Sequence, residues 1–139
     1  MSRIVAIAVV LTLSGCAVQS LWVRDGSRAG QRDFERSCAV CHGLGGHGDG
    51  PMRTSLRTPP PDLTRLAERH AGGFPEGYVI GVVTGRIEVD SHGTREMPVW
   101  SDRFSPSGTG GAAAASIFAR RSASALADYL RSIQLSSRP

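Results

Sequence analysis

The sequence predicts a small all-α fold of three to five helices, and three observations lead to that prediction. Apolar residues recur at helical spacing in separate segments, within 62–70, 75–84 and 126–133. Glycine or proline borders these segments, as expected of short helices joined by turns. Only 6% of the 139 residues are aromatic, so a bound apolar group at the centre would supply area that a core this small lacks.

The N-terminal residues have the features of an export signal. Arg3 carries one positive charge, and 4–13 is an apolar run too short to span a bilayer. The Leu-Ser-Gly-Cys sequence at 13–16 resembles the lipobox of bacterial lipoproteins, and this resemblance implies cleavage before Cys16 and a lipid anchor on its sulfur. An ordinary cleavage site with an incidental cysteine is the alternative. Both interpretations predict export, and the first predicts a periplasm-facing protein anchored to a membrane.

The remaining chain is long enough for one domain. Residues 17–29 show no clear periodicity, and Gly26 and Ser27 loosen them further. We therefore expect a signal peptide at 1–15, a tether at 16–29 and one domain at 30–139.

A first helix is predicted from Gly30 to Val40, and it leads into the most informative motif of the chain, Cys38-x-x-Cys41-His42. This spacing is a signature of c-type haem attachment. The two sulfur atoms lie at the separation of the two haem vinyl groups, and the next residue supplies an imidazole to the iron. We expect one covalent haem c on Cys38 and Cys41, with His42 as an axial ligand.

Two other uses of the C-x-x-C spacing are a thiol redox pair and a zinc site. A thiol redox pair is disfavoured because no predicted strand and no βαβ pattern surround the motif. A zinc site is disfavoured because the chain has no second C-x-x-C and no H-x3-5-H run, and Cys16 is the only further cysteine.

The charge of the chain argues against nucleic-acid binding. All 16 basic residues counted as Lys or Arg are arginines, and the formal net charge is +4. Loss of Arg3 and the addition of two haem propionates bring the mature protein close to neutrality. No basic run with interleaved aromatic residues is present.

The middle of the chain alternates between bends and short helices. The glycine-rich 43–51 segment predicts a sharp bend after the motif, and 57–61 is stiffened by prolines. Asp62 is expected to cap a helix that carries Leu63, Leu66, Ala67 and His70 on one face and that Gly72-Gly73 ends.

Two more helices are predicted before the C-terminus. One begins near Pro75 and runs to about Thr84, with Gly85 as its stop. After an irregular 87–100 segment and a small-residue loop at 105–111, a last helix carries Leu126, Tyr129, Leu130 and Ile133. Its start, at Ala112 or near Ser122, is left open by the pattern.

The chain from Gly30 to Gln134 resembles the class I mono-haem cytochromes c. The resemblance rests on the haem motif and on weaker motifs in the family's order: Gly30-x-x-x-Phe34, Gly46-His47-Gly48-Asp49-Gly50-Pro51, Pro60-Pro61-Asp62-Leu63-Thr64, Met97-Pro98-Val99-Trp100 and Leu126-Ala127-Asp128-Tyr129-Leu130-Arg131. It implies that the first and last helices cross, with Gly30 and Phe34 against Tyr129 and Leu130. It also implies that Met97 is an axial ligand and that the Pro51 carbonyl accepts a hydrogen bond from the proximal imidazole.

The residues themselves also favour Met97 as the sixth ligand. Met52 follows His42 too closely to reach the opposite haem face, whereas Met97 lies about fifty residues downstream and Pro98 keeps it out of a helix. Three histidines are the rivals, with His92 the strongest because it shares the loop of Met97, followed by His47 and His70.

Ligation by histidine and methionine fills both axial positions and favours ferrous iron. We therefore expect a single-electron carrier, not an enzyme, in a periplasmic respiratory or dehydrogenase electron-transfer chain. Its partners would be redox proteins: a respiratory complex, a terminal oxidase or a periplasmic dehydrogenase. A haem-bearing subunit of a larger oxidoreductase and a haem-based gas sensor are the alternatives.

Overall fold

The structure is a computed structural model that describes residues 27–89, 100 and 111–135. Within these residues all regular structure is helical, so the all-α prediction is confirmed. The helices are α1 (27–37), α2 (Ala39–His42), α3 (Leu66–Arg69), α4 (Glu76–Val83) and α5 (Gly111–Ser132), with single 3-10 turns at Arg53–Ser55 and Leu63–Arg65. None of the described helices is both long and apolar enough to cross a membrane.

The first helix differs from its predicted bounds at both ends. It already includes 27–29, within the predicted tether, and it ends at 37 because the chain turns at Cys38 before α2. Backbone hydrogen bonds cross that turn, from Cys38 N to Phe34 O (2.8 Å) and from His42 N to Cys38 O (2.9 Å). The haem motif is therefore joined to the end of α1 as one further helical turn.

The predicted crossing of the first and last helices is present. A Cβ atom placed on Gly30 would lie 1.9 Å from the carbonyl oxygen of Ala125, so only glycine permits this approach. One turn further on, the fully buried ring of Phe34 lies 5.3 Å from the ring of Tyr129 between centroids. The residues that face Gly30 are Ala125 and Leu126, one turn before the predicted Tyr129 and Leu130.

The predicted cap of the middle helix is also confirmed. The Asp62 carboxylate accepts hydrogen bonds from the backbone N–H (2.9 Å) and the hydroxyl (2.5 Å) of Thr64. Partial burial alone would raise the pKa of Asp62, but these bonds, with His47 and Arg65 nearby, hold it below its usual range. The chain leaves α3 through Ala71 and Gly72, both at positive φ.

The last helix begins at Gly111, which settles the start that the sequence left open. Its C-terminal end is tied to the middle of the chain. Gln134 donates to the carbonyls of Leu63 (2.8 Å) and Leu130 (2.7 Å) and accepts from Ala67 N (2.9 Å). Arg131 reaches Glu76 at the start of α4 (2.6 Å). These bonds hold α3, α4 and α5 around one interior space.

Candidate functional site

A cavity of about 210 Å³ lies between the haem motif and helices α3, α4 and α5. Its walls are mostly apolar, with Arg69, His70 and Tyr78 as the polar exceptions beside the motif. The apolar lining includes Leu66, Val79, Val82, Val83, Leu126 and Leu130.

The cavity has the haem motif on one wall. Cys38 and His42 line it, and Cys41 lies between them on the same helical turn. Cys38 and Cys41 are both free thiols, placed as in a C-x-x-C-H motif. Burial, followed by the nearby Asp33 and Cys41, raises the pKa of the Cys38 thiol to about 12. A redox dithiol needs an easily ionised cysteine, so this site does not suit the thiol redox alternative.

The imidazole of His42 is buried and held in one orientation. Its Nδ1 atom lies 3.3 Å from the carbonyl oxygen of Pro61. When Nδ1 donates this hydrogen bond, Nε2 keeps the lone pair that a metal ligand needs. The bond also fixes the ring relative to the cavity wall.

The acceptor is therefore Pro61, and the prediction of Pro51 is wrong. The backbone of 50–52 runs along the helical turn of the motif, because Gly50 N bonds Cys41 O (3.1 Å) and Met52 N bonds Val40 O (2.9 Å). Pro51 itself is exposed there. The chain returns to the imidazole only at Pro61. It is held there partly by Gly48, which lies so close to Pro60 that an added Cβ would be 2.2 Å from Pro60 O.

The three consecutive prolines at 59–61 are the sequence feature from which the contact between Pro61 and His42 could have been predicted. In the sequence they indicate only a stiff, extended segment, and nothing local shows that a carbonyl at its end points back at His42. Extended proline segments have unpaired carbonyls, and this one lies beside a buried donor.

Several predicted site residues lie outside the described residues, namely Met97, His92 and Cys16. The two ends of the segment that holds Met97 are nevertheless placed. Val89 lines the cavity, and Trp100 N donates to the carbonyl of Val83, another lining residue (3.1 Å). The described residues on either side of 90–99 in the sequence therefore contact the cavity or one of its lining residues.

The other candidate sixth ligands among the described residues differ in whether they line the cavity. Met52 is 43% exposed and is not part of the lining. His47 is half exposed, with Nδ1 3.7 Å from Asp62. His70 does line the cavity; its Nδ1 contacts Leu66 O (2.8 Å) and its ring lies 5.3 Å from that of Tyr78. Among the described residues, no group of three or more His, Cys, Asp or Glu side chains could hold a bare metal ion.

The residues present fit a covalently attached haem. Two thiols and an oriented imidazole share one wall of a mostly apolar cavity in an all-α fold, which is the donor set of c-type haem. Comparison with known families agrees, since the profile described as Cytochrome c matches residues 27–134. The chain belongs to the cytochrome c family. No curated protein and no solved structure matched the chain.

Membership of this family establishes the cofactor and the general role. The protein binds a covalent c-type haem, and it is a haem-based electron-transfer protein.

Proposed function

We propose that the protein is a lipid-tethered single-electron carrier in a periplasmic electron-transfer chain, in contact with respiratory complexes, terminal oxidases or dehydrogenases. The observation that supports it most is the placement of His42, buried, oriented by Pro61 and adjacent to two free cysteines on the cavity wall. When bound, the haem supplies one-electron iron chemistry. Cys38 and Cys41 would hold it through thioethers, with His42 and Met97 as axial ligands.

The surrounding residues suit a carrier because the cavity is mostly apolar and is enclosed by helices that are tied together. The bonds of Gln134 and Arg131 hold three helices around it. His42 is fixed by a backbone carbonyl, so that its position does not depend on a mobile side chain. A site held in this way changes little between oxidation states.

Ligation by Met97 would close the iron site. Val89 lines the cavity, and Trp100 N donates to the carbonyl of the lining residue Val83. Met97 stands three residues before Trp100 in the sequence, and we propose that its thioether is the sixth ligand of the iron. A closed site favours electron transfer over gas sensing; a sensor would bind carbon monoxide when reduced.

The test of this function begins with covalent attachment. Denatured protein should retain haem through acid-acetone extraction and show one haem by its pyridine haemochrome spectrum. Replacing both Cys38 and Cys41 with alanine should abolish this retention because no sulfur remains to form a thioether. Met52→Leu is the matched control, a change ten residues from the motif that should leave retention intact. Extractable haem from the native chain would overturn the proposal.

A further inference from the structure

Helix α5 carries two large apolar side chains on its solvent side. Its buried stripe contains Ala119, Ala123, Leu126, Ala127 and Leu130. Ile117 and Phe118, in contrast, are 60% and 44% exposed. At 100° per residue, Ile117 and Phe118 each lie more than about 120° from the centre of the buried stripe, on either side of the solvent face.

Two arginines flank these apolar side chains. Arg120 and Arg121 are both exposed, and Arg121 lies one turn after Ile117 on the same face. Toward the C-terminus of α5 the exposed side chains on this face are polar, and Asp128 pairs with Arg131 at 2.9 Å. We call Ile117, Phe118, Arg120 and Arg121 the α5 patch.

The α5 patch lies on the side of the domain where the N-terminal segment joins it. Gly30 abuts Ala125, and the described part of the chain starts one turn before Gly30, at residue 27. Phe118 precedes Ala125 by two turns, or roughly 10 Å along the axis. The ten residues between Cys16 and residue 27 span at most about 35 Å. A lipid on Cys16 would therefore leave the α5 patch within reach of the bilayer surface.

We propose that the α5 patch rests on the anionic headgroups of the membrane to which the chain is tethered; this rests on the lipid anchor of the proposed function. Ile117 and Phe118 would enter the interfacial region, and the guanidinium groups of Arg120 and Arg121 would pair with lipid phosphates.

The size of the patch favours a lipid surface over a second protein. Two apolar and two basic side chains are far fewer than the roughly 20–30 residues a side of a stable protein interface. A tethered domain needs no such area, because the tether makes the contact intramolecular and a weak interaction is then sufficient. The paired positive charges also complement anionic lipid.

A spin label can report this contact in the intact protein. With Cys38 and Cys41 bound to haem and Cys16 acylated, a cysteine introduced by Ser124→Cys is the one reactive thiol, seven residues after Ile117 on the same face. Ser55→Cys, on an exposed turn beyond the haem motif, is the matched control. The lipidated, haem-loaded protein is reconstituted into vesicles of phosphatidylcholine, with or without phosphatidylglycerol, and the collision rate of the nitroxide with a water-soluble nickel complex is measured.

With phosphatidylglycerol, the collision rate at position 124 should fall by at least about twofold while position 55 stays unchanged. Adding Ile117→Ser and Phe118→Ser, or Arg120→Gln and Arg121→Gln, should restore it. These side chains are exposed, so the substitutions should leave folding and the haem spectrum intact. Equal rates at position 124 in both vesicle types would overturn the proposal. Protection in detergent that grows with protein concentration would also overturn it, because a second copy would then cover the patch.

The intact mass of the purified protein distinguishes a failure of the lipid anchor from a failure of the membrane contact. If the purified protein carries no acyl chains, the proposed tether is wrong, and the patch is tested alone by sedimentation of the same protein with each vesicle type. Binding that requires phosphatidylglycerol and is lost in the Ile117→Ser, Phe118→Ser variant supports the membrane contact, and absence of binding overturns it.

Discussion

At the residue scale, the hydrogen bond between His42 and Pro61 determines which imidazole nitrogen is used within the protein and which is left to bind a metal. The ring is buried, so a polar atom left without a partner there would be costly. Donation from Nδ1 to a backbone carbonyl satisfies that atom and keeps Nε2 unprotonated for the iron. The ligand is thereby prepared before any metal is bound.

The axial role of Met97 gives a prediction at the same scale. Met97→Ala should retain the haem, because Cys38, Cys41 and His42 remain. It should lower the midpoint potential by on the order of a few tenths of a volt, since axial ligands span roughly 0.8 V and the thioether favours ferrous iron. It should also allow carbon monoxide to bind the reduced protein. Optical spectra and redox titration measure both effects.

Three variants serve as controls for Met97. Met52→Leu, His92→Ala and His70→Ala should change neither the potential nor carbon monoxide binding. His70 is included because it lines the cavity. If either histidine variant binds carbon monoxide and Met97→Ala does not, the iron has two histidine ligands. The midpoint potential would then be lower and the redox partners different.

The sequence predicted the chemistry of single residues where neighbours along the chain determine it. The motif Cys38-x-x-Cys41-His42 needs only one helical turn to bring its groups together, and the structure has that turn. The acceptor for His42 was predicted wrongly because it depends on a return of the chain nineteen residues later. Sequence distance favoured Pro51, whereas the path of the glycine-rich loop brings Pro61 to the ring.

At the scale of elements, the bounds of a helix were predicted correctly where an apolar stripe is followed by a glycine that ends the helix. Helix α4 ends at Val83, before Gly85 at positive φ, as the pattern predicts. The ends of α1 were predicted less well, because the turn at Cys38 carries no glycine or proline. The start of α5 was open since its first turns contain small residues that show no periodicity.

The crossing of α1 and α5 gives a prediction about stability. Gly30→Ala should destabilise the protein by about 1–3 kcal/mol, because its Cβ would overlap the Ala125 carbonyl and the helices must separate. Gly77→Ala is the matched control in α4, where an added Cβ meets nothing within 4 Å. It should stabilise the protein by about 0.5–1 kcal/mol through helix propensity. Urea unfolding of the haem-loaded protein measures both changes, and equal effects would contradict the crossing as the cause.

At the scale of the whole molecule, the α5 patch and the haem motif lie toward opposite ends of α1. Gly30 meets Ala125 and Phe34 meets Tyr129, so both helices run from the patch toward the cavity. Phe118 and the cavity-lining Leu130 are twelve residues apart, or roughly 18 Å along α5. Beside the motif, Leu44 is 73% exposed. A membrane contact at α5 therefore leaves the side with the motif accessible to redox proteins.

Attachment to the membrane is the prediction that concerns the whole chain. Cys16→Ser should block acylation and leave the protein as uncleaved precursor or outside the membrane fraction, because the sulfur that takes the lipid is gone. Gln19→Ser, three residues further along the same segment, should remain anchored. Intact mass and partition into membranes after a salt wash measure the two outcomes. If the native protein is released by salt alone and its mass lacks acyl chains, export would depend on the signal peptide only, and the carrier would diffuse between its partners instead of turning on a tether.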